Sequence, residues 1–350
     1  MAKTKRQPAA PLERLHKHFA SSTQWSARWE SSLYPALVRP TRYATLRNQH
    51  ATSAAFDQAM QDIKALELIE LPIGSSMQCY ISRADEEDGM SSTKPFPEPL
   101  KAESGLNTHW NLDLASLLAV NVLGVQQGDK VLDICAAPGG KSVALAQSIL
   151  QASANSPHVG CLHSNEYNLE RMKRLDHNLQ QYIPTTYRQS LGGYDKVLLD
   201  APCSSERHIV HAQDRASRFM PNRTADELGR WSPSMAKKLA ETQVKLLQNA
   251  FKSVRVGGKV LYATCSISKE ENDEVVEAAL RWSLQQQKKG AISWSCQTAP
   301  LAAELRTKLE AWAEPTQNGW IVLPDHETPY GPGWGPLYFA ALTKVGSPAP

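Results

Sequence analysis

The second half of the chain alternates between short apolar runs and apolar residues at helical spacing. This alternation is typical of a parallel α/β sheet with crossing helices. Strands are predicted at residues 130–134, 160–165, 196–199 and 259–263. Helices are predicted at residues 142–150, 169–182 and 235–254. We therefore predict an α/β fold with a mostly parallel sheet.

The remaining patterns predict shorter elements. Leu12, Leu15 and Phe19 have helical spacing, as does a second set ending before Pro72, namely Phe56, Met60, Ile63 and Leu66. Ser268 and Glu271 have the spacing of a capping box that opens a helix. Two late strands are expected around Ile321 and Tyr338, on either side of a Pro/Gly-rich loop.

Composition shifts suggest three parts. Residues 1–30 are predicted to be a basic tail or targeting segment. Residues 31–107 form a smaller N-terminal helical/mixed region that ends in a flexible linker, 85–107, whose acidic and Pro-rich 85–99 stretch offers little to bury. Residues 108–350 form the α/β domain.

Bulk properties narrow the class of protein. The 350-residue chain has a net charge of +3, which permits but does not demand a nucleic-acid partner. Its six cysteines have neither zinc-site nor disulfide-scaffold spacing, so no metal is expected. No apolar run is long enough to cross a bilayer, so no membrane contact is expected. The basic start suits a mitochondrial location, with the nucleus or cytoplasm as alternatives.

A loop of small residues follows the first predicted strand. It comprises Cys135, Ala136, Ala137, Pro138, Gly139, Gly140 and Lys141. Such a loop lets a ligand approach the backbone and the N-terminus of the next helix. A phosphate-binding loop of an NTPase is the rival interpretation, but that motif needs glycine where this chain has Cys135.

Three further candidates lie after predicted strands. Glu166 follows the second strand, where a carboxylate can accept hydrogen bonds from ribose hydroxyls. Asp200 and Cys203 follow the third strand, and Cys265 follows the fourth. Because ligands of open α/β sheets bind beyond the carboxyl ends of the strands, these side chains should share one crevice.

Two such cysteines suit methylation at C5 of a pyrimidine. That carbon is a poor nucleophile until a thiolate adds at C6, after which C5 can take a methyl group from a sulfonium donor. A carboxyl group beside the N3 edge of the base would assist as charge develops during attack, and Asp200 is the candidate.

Residues 133–142, 200–204 and 264–266, in that order, resemble the Sun-domain (Nop/Sun, bacterial Fmu-like) RNA cytosine-5 methyltransferases. The resemblance extends from about Leu112 to the end of the chain, and 163–167 and 335–338 are most similar to the mitochondrial tRNA/rRNA branch. It implies a Rossmann-like class I methyltransferase fold, with S-adenosyl-L-methionine as cofactor and tRNA or rRNA as substrate.

The same resemblance implies roles for single residues. The loop from Cys135 to Lys141 would cradle the methionine end of the cofactor, and Glu166 would hold its ribose. Asp200 would lie between the cofactor and the cytosine. Cys265 would be the nucleophile and Cys203 would serve the release step. A DNA-type assignment would reverse the two cysteines, but the Thr264-Cys265-Ser266 block favours Cys265.

The chain departs from the family at adenine recognition. Residues 185–193 contain no acid where the family has an aspartate, and Asp195 is too close to the next strand to replace it. Gln189, Ser190 or backbone groups are the substitutes we expect.

Basic side chains follow the Pro-Cys block. Arg207, His208 and His211 are expected to make phosphate or backbone contacts and are assigned no catalysis. An RNA-facing edge is predicted from the following arginines, Arg215, Arg218, Arg223 and Arg230.

Two other functions remain open from the sequence. A non-catalytic RNA-binding or ribosome-assembly factor could keep the fold, and a methyl-transfer assay would separate it from an enzyme. A P-loop-like NTPase would make no use of Cys265. We expect a monomer, and the lack of a separate RNA-binding module leaves room for a partner protein that positions the RNA.

Overall fold

The structure is a computed structural model that describes residues 11–83, 96–149, 160–184, 193–219 and 231–346. Its N-terminal part contains three helices, α1 (Pro11–Ala20), α2 (Tyr34–Val38) and α3 (Ser53–Met60), with a π-helical turn at Trp29–Leu33. It also contains four strands, β1 (Ala44–Arg47), β2 (Leu66–Leu68), β3 (Cys79–Ser82) and β4 (His109–Leu112). These strands form one antiparallel sheet in the order β2-β3-β1-β4.

Eight strands form the main sheet. They are β5 (Lys130–Ile134), β6 (Cys161–Asn165), β7 (Tyr194–Asp200), β8 (Val254–Thr264), β9 (Trp294–Thr298), β10 (Glu314–Pro315), β11 (Trp320–Val322) and β12 (Leu337–Gly346). Their order is β10-β11-β12-β8-β7-β5-β6, with β9 paired to β12. The four strands from β8 to β6 are parallel, whereas β12 and the strands beyond it are antiparallel. The predicted α/β class is therefore confirmed, in a mixed sheet.

Helices cover both faces of this sheet. They are α4 (Leu114–Leu123), α5 (Gly140–Ile149), α6 (Leu169–Tyr182), α7 (Glu206–Phe219), α8 (Pro233–Ser253), α9 (Asp273–Lys288) and α10 (Ala303–Glu310). Buried side chains of α4 and α5 fill one face, and the other face holds α8 and α9 together with the first helix of the chain. The chain runs from β5 outward to β6 and then returns to β7 on the opposite side of β5. That reversal opens a crevice at the carboxyl ends of β5, β6, β7 and β8, as open α/β sheets do.

Most predicted elements agree with the structure, and the strand at 130–134 and the helix at 169–182 match residue for residue. The helix predicted from the spacing of Phe56 to Leu66 is too long, because α3 ends at Met60 and Leu66 starts a strand. The capping box is also wrong. Helix α9 begins at Asp273, and the Glu271 carboxylate instead accepts a hydrogen bond from the backbone N–H of Ser204, within a buried network.

Residues 11–30 are not a tail. Phe19, Trp25 and Trp29 are almost fully buried and belong to the same apolar cluster as Leu199 of β7 and Trp231. Apolar burial on this scale is the main stabilising contribution in a fold. Residues 1–10 lie outside the described residues, so the targeting prediction for the start of the chain stays a prediction.

The predicted linker is only partly described, at residues 96–107. Phe96 is 7% exposed and packs with Phe56 and Met60, so this end of the segment does contribute to a core. Strand β4, just after the predicted boundary at 107/108, pairs with β1, which belongs to the region before that boundary. The domain boundary therefore remains a prediction.

None of the helices that the structure describes is long and apolar enough to span a membrane.

Candidate active site

The two candidate cysteines lie on neighbouring loops. Cys203 follows β7, Cys265 follows β8, and these two strands are paired in parallel. The two Sγ atoms are 2.8 Å apart, and both cysteines are free thiols. The structure therefore brings together the pair that the sequence singled out.

Hydrogen bonding distinguishes the two thiols. Ser205 Oγ lies 2.9 Å from Cys265 Sγ and 3.4 Å from Cys203 Sγ. The hydrogen bond from Cys203 lowers the pKa of the Cys265 thiol, and the Ser205 hydroxyl lowers it further against the opposing effect of burial. The same bond, together with burial, raises the pKa of Cys203. Of the two, Cys265 is the better placed to form a thiolate.

A buried polar cluster lies behind the cysteine loops. The carboxyl groups of Glu206 and Glu271 both contact the hydroxyl groups of Ser204 and Ser266. Burial, and then repulsion from Glu271, raises the pKa of Glu206 to about 7, and burial also raises the pKa of Glu271. Gln243 joins the cluster by donating to Pro202 O at 2.8 Å and to Glu271 Oε2 at 2.9 Å.

Asp200 at the end of β7 is paired with a lysine. Lys141 Nζ lies 2.7 Å from Asp200 Oδ2, and the lysine side chain is only 13% exposed. Burial lowers the pKa of Lys141, but the Asp200 carboxylate outweighs that effect and raises it. The pair links the loop after β5 to the loop after β7, and it places a carboxylate and an ammonium group beside the thiols.

The small-residue loop depends on unusual backbone. Cys135 has a φ of +64° and Gly139 has a φ of +119°, a region that glycine occupies without strain. A Cβ at Gly140 would lie 2.7 Å from Trp110 Nε1, so only glycine fits under that indole ring. Burial raises the pKa of Cys135 to about 12, so this third cysteine is not a candidate nucleophile.

Side chains of α6 hold the same loop from outside. Arg171 Nη2 donates to Ala137 O at 2.8 Å, and Asn178 Nδ2 donates to Pro138 O at 2.7 Å. Glu166, which follows β6, is 6% exposed at its side chain and forms an ion pair with Arg171 at 3.2 Å. Its other oxygen accepts from Asn168 N at 3.0 Å. Glu166, the residue predicted to hold the ribose, is therefore fixed beside the loop.

Of the residues considered for adenine recognition, only Asp195 lies within the described part of the chain. Gln189 and Ser190 lie outside the described residues. Asp195 lies within β7, accepts from Lys130 N at 2.8 Å and pairs with Arg255. Both oxygens of its carboxylate are thus used in these contacts, at the end of the strand opposite the crevice. Asp195 is therefore no substitute for the family's aspartate, as the sequence had indicated.

A cavity of about 390 Å³ opens beside Cys265 and is lined by Asp200, Lys141 and residues 335–337. Arg207 forms its wall by donating to four backbone carbonyl groups, those of Arg39, Pro40, Gly333 and Gly335. His211 contacts Leu37 O and Arg39 O. The predicted backbone role of both is confirmed, whereas His208 is exposed at the rim.

Of the predicted RNA-facing arginines, Arg223 and Arg230 lie outside the described residues, and the side chains of Arg215 and Arg218 do as well.

Sequence reasoning missed several residues of this site. Glu206 and Glu271 gave no signal beyond their closeness to the two cysteine blocks, and Glu271 was misread as a helix cap. Trp110 and Arg171 act through packing and backbone contacts that no local motif reports. Among the described residues, no group of three or more metal-ligating side chains is present.

Comparison with known proteins decides the family. The model of the 16S rRNA methyltransferase RsmB/F family matches residues 120–299, which include both cysteine loops. The chain belongs to this family. Membership confirms the predicted enzyme class, an S-adenosylmethionine-dependent RNA (cytosine-5-)-methyltransferase, and with it the cofactor and the RNA substrate.

Relatives of this RsmB/F-family chain cover most of its length. It is 33% identical to the mitochondrial tRNA (cytosine(34)-C(5))-methyltransferase of Danio rerio, over 92% of this chain and 83% of that protein. It is 26% identical to the 5-cytosine rRNA methyltransferase NSUN4 of Bos taurus, over 97% of this chain and 90% of that protein. A 32% identical match, the 5-cytosine rRNA methyltransferase nsun-4 of Caenorhabditis elegans, covers 71% of this chain, which spans about half (52%) of that longer protein.

Solved structures agree on the fold. The NSun6 of Pyrococcus horikoshii with SFG, an S-adenosylmethionine analogue, has a TM-score of 0.61 at 14% identity, over 96% of this chain and 98% of that one. A likeness at this identity supports the Rossmann-like class I architecture alone.

The residues present fit S-adenosylmethionine. Gly139 and Gly140 let the loop backbone pack closely against Leu175 and Trp110, and Glu166 offers a carboxylate beside that loop. Asp133 is fully buried at the end of β5, and its Oδ1 has no hydrogen-bond partner among the described residues. A buried acceptor of this kind is costly unless a ligand group or water satisfies it.

Proposed function

We propose that this RsmB/F-family protein methylates C5 of an unpaired cytosine in tRNA or rRNA through a covalent bond between Cys265 Sγ and C6 of the base. One observation carries the proposal: two free thiols lie 2.8 Å apart at the ends of neighbouring parallel strands, and only Cys265 has a lowered pKa.

Each step has a residue suited to it. The Cys265 thiolate adds to C6, and the electron pair moves into the ring towards C5. Asp200, paired with Lys141, lies at the N3 edge of the cytosine, where the Lys141 ammonium group offsets the negative charge that develops on attack. When bound, S-adenosylmethionine would supply a methyl group on a sulfonium, and Gly139, Gly140 and Glu166 would hold it.

Release needs the C5 proton to leave and the Cys265–C6 bond to break. We assign this step to Cys203, whose sulfur is adjacent to that of Cys265. As a thiolate it takes the C5 proton, the electron pair of that bond restores the C5–C6 double bond, and the Cys265 thiolate leaves. The raised pKa of Cys203 makes its thiolate the stronger base of the two.

The division of labour between the cysteines is tested by trapping the covalent species. Cys203→Ala should attack and methylate but stall, which leaves a slow-migrating protein–RNA band in a denaturing gel. Cys265→Ala and the double variant should form no band and no 5-methylcytosine. Cys296→Ala is the matched control. Cys296 is a buried cysteine on β9, outside the two cysteine loops, so this variant should behave as wild type. A band that forms in Cys265→Ala and depends on Cys203 would reverse the roles.

The requirement for an unpaired base follows from access. A base stacked in a duplex cannot present C6 to a thiol at the base of a cavity, so it must be extruded or already single-stranded. Locking the target cytosine into a stable duplex should suppress turnover, whereas equal rates on paired and unpaired RNA would contradict this account. Separate tRNA and rRNA substrates in the same assay determine which RNA is modified.

Location and assembly complete the proposal. A mitochondrial location is supported by the names of the zebrafish and mouse tRNA enzymes. The monomeric state and a partner protein that positions the RNA stay predictions, which size-exclusion chromatography of the purified protein with and without RNA would test.

A further inference from the structure

Four oxygen atoms form a closed ring behind the two cysteine loops. Ser204 Oγ contacts the Oε1 atoms of both Glu206 and Glu271. Ser266 Oγ lies 3.0 Å from Glu206 Oε1 and 3.1 Å from Glu271 Oε1. All four residues are buried, with exposures between 0% and 4%. We call these four side chains the carboxyl–hydroxyl ring.

The ring contains more oxygen–oxygen contacts than its hydroxyl groups can fill. Each serine has one hydroxyl proton and can donate it to one acceptor at a time. With both glutamates ionised, two protons would serve these four contacts and also the contact between Ser204 Oγ and Ser266 Oγ at 3.2 Å, so that several contacts would bring lone pairs together in a water-poor interior. Such unsatisfied buried contacts are strongly unfavourable. One carboxyl proton fills a third contact and removes one of the two negative charges.

We propose that Glu206 and Glu271 share one proton, and that the carboxyl–hydroxyl ring they close positions Cys203 and Cys265 for the reaction. This inference rests on the proposed function for the roles of the two cysteines. The glutamates are positioning residues, since neither contacts the reacting atoms.

The ring reaches the backbone of both cysteine loops. Glu271 Oε2 accepts from Ser204 N at 3.0 Å, next to Cys203. Glu206 Oε2 accepts from Ile267 N at 3.1 Å, two residues after Cys265. Each loop is therefore held by the glutamate that follows the other cysteine in the chain, and this crossed arrangement fixes the spacing between the loops.

Titratable groups on the surrounding elements are few. The Cys203 and Cys265 thiols face the ring, and the phenol of Tyr262 on β8 donates to Glu271 O at 2.5 Å. Trp231 Nε1 donates to Glu206 Oε1 at 3.4 Å, and His18 of α1 contacts the far side of that indole. Arg207 adjoins Glu206 but points to backbone carbonyl groups of other loops. Burial and the mutual repulsion of the glutamates, which raise the pKa of Glu206 to about 7, support retention of a proton.

Single glutamine substitutions fit this ring. In Glu206→Gln the amide nitrogen at the Oε1 corner can donate to both serines, while its oxygen still accepts from Ile267 N. Glu271→Gln can do the same while its oxygen accepts from Ser204 N. In either variant the remaining glutamate becomes the ionised acceptor, so the shared carboxyl proton is lost while the ring contacts are kept. Glu206→Gln additionally gives up the long 3.4 Å hydrogen bond from Trp231 Nε1. Alanine at either position instead leaves buried donors unpaired.

Infrared difference spectroscopy tests the proton directly, without RNA or cofactor. At pH 6 the spectrum of wild type minus Glu206→Gln, and of wild type minus Glu271→Gln, should each show one protonated-carboxyl carbonyl band. Glu270→Gln is the matched control, since Glu270 is bonded to Ser268 outside the ring and its pKa is lowered. Absence of the band from both glutamine difference spectra would show a ring without a proton and overturn the proposal.

Kinetics test the positioning role. Glu206→Ala should lower kcat by about 10-fold or more, the effect of leaving buried donors unpaired, with the KM for RNA little changed. Glu206→Gln should recover kcat to within about threefold of wild type. Should Glu206→Ala fail to fold, Glu271→Ala, with Glu271→Gln as the variant that recovers kcat, carries the same kinetic test. A folded Glu206→Ala protein with unchanged kcat would overturn the positioning role.

The two proposals fail separately. Loss of the infrared band overturns the shared proton whatever the cysteines do. Persistence of the band together with full activity of Cys265→Ala would instead overturn the nucleophile assignment and leave the proton in place.

Discussion

The two halves of the crevice are built in different ways. At the carboxyl ends of β7 and β8, buried polar side chains bond to one another and to the loop backbone, with Glu206 and Glu271 at the centre. At the ends of β5 and β6, the loop instead depends on small residues, since a side chain at Gly139 would meet Leu175 and one at Gly140 would meet the Trp110 ring.

This difference matches what each half has to do. Bond formation at C6 tolerates little error in the position of Sγ, so the cysteine half benefits from a network that fixes its geometry before substrate arrives. The cofactor half must accept a large ligand against its backbone, which small residues permit. Helix α6 then supports that loop from outside through Arg171 and Asn178.

Lys141 is the link between the halves, and its removal should have the largest effect. It belongs to α5 in the cofactor half, but its ammonium group lies 2.7 Å from Asp200 in the cysteine half. Lys141→Met keeps most of the packing but leaves the Asp200 carboxylate without its partner. We expect kcat/KM to fall by about 100-fold, from the upper end of the range for a charged hydrogen bond.

A matched control for that variant is Lys173→Met. Lys173 forms an exposed pair with Glu170, in which both side chains are more than 70% exposed, and surface pairs of this kind contribute little. Steady-state kinetics on unpaired RNA measure both. Equal activity of Lys141→Met and Lys173→Met would show that the two halves function independently.

The same contrast explains which features the sequence could predict. The cofactor loop, Asp200, Cys203 and Cys265 all directly follow buried strands, and the apolar runs of those strands are visible in the sequence. The rule that ligands bind beyond the strand ends then places them together. Local pattern and tertiary position agree at these residues.

The cross-linking residues could not be predicted in this way. Glu271 satisfies a local capping rule, yet its carboxylate accepts hydrogen bonds from Ser204 and Gln243, which are more than 25 residues away in the chain. Trp25 and Trp29 look like part of a basic tail, because only the folded sheet supplies the apolar face on which they pack. Long-range contacts overrode local pattern in each case.

Glu166 tests the cofactor half on its own. Its carboxylate is nearly buried and tied to Asn168 N and Arg171, so it is fixed beside the loop before any ligand binds. Glu166→Ala removes the ribose acceptors and should weaken S-adenosylmethionine binding by about 10-fold, from the lower end of the 1.5–3 kcal/mol range. Calorimetry with the free cofactor measures this, and Glu170→Ala on the exposed face of α6 is the control. Unchanged affinity in Glu166→Ala would remove this residue from the site.

The last effect we predict is on stability rather than on catalysis or binding, and it belongs to the cysteine half. The pKa of Glu206 is raised to about 7 in the folded protein, mainly by burial, from an ordinary value of 4.5. Between these two pH values the folded state holds a proton that the unfolded state has released. Stability should therefore fall as the pH rises through this window, because the unfolded state binds fewer protons than the native state.

Glu206→Gln should flatten that slope, since glutamine does not titrate and the remaining glutamate becomes ionised. The expected difference is on the order of 1–3 kcal/mol in the free energy of unfolding between pH 5 and pH 7.5, measured by urea unfolding at both values. Asp133, whose pKa burial also raises to about 7, is untouched by the substitution, so part of the slope should remain. Glu270→Gln should leave the slope in this window unchanged, because the pKa of Glu270 is lowered and its contribution is lost only at more acidic pH. A slope in Glu206→Gln as steep as that of wild type would show that the cysteine half holds no such proton, and the contrast between the two halves would then rest on hydrogen-bond geometry alone.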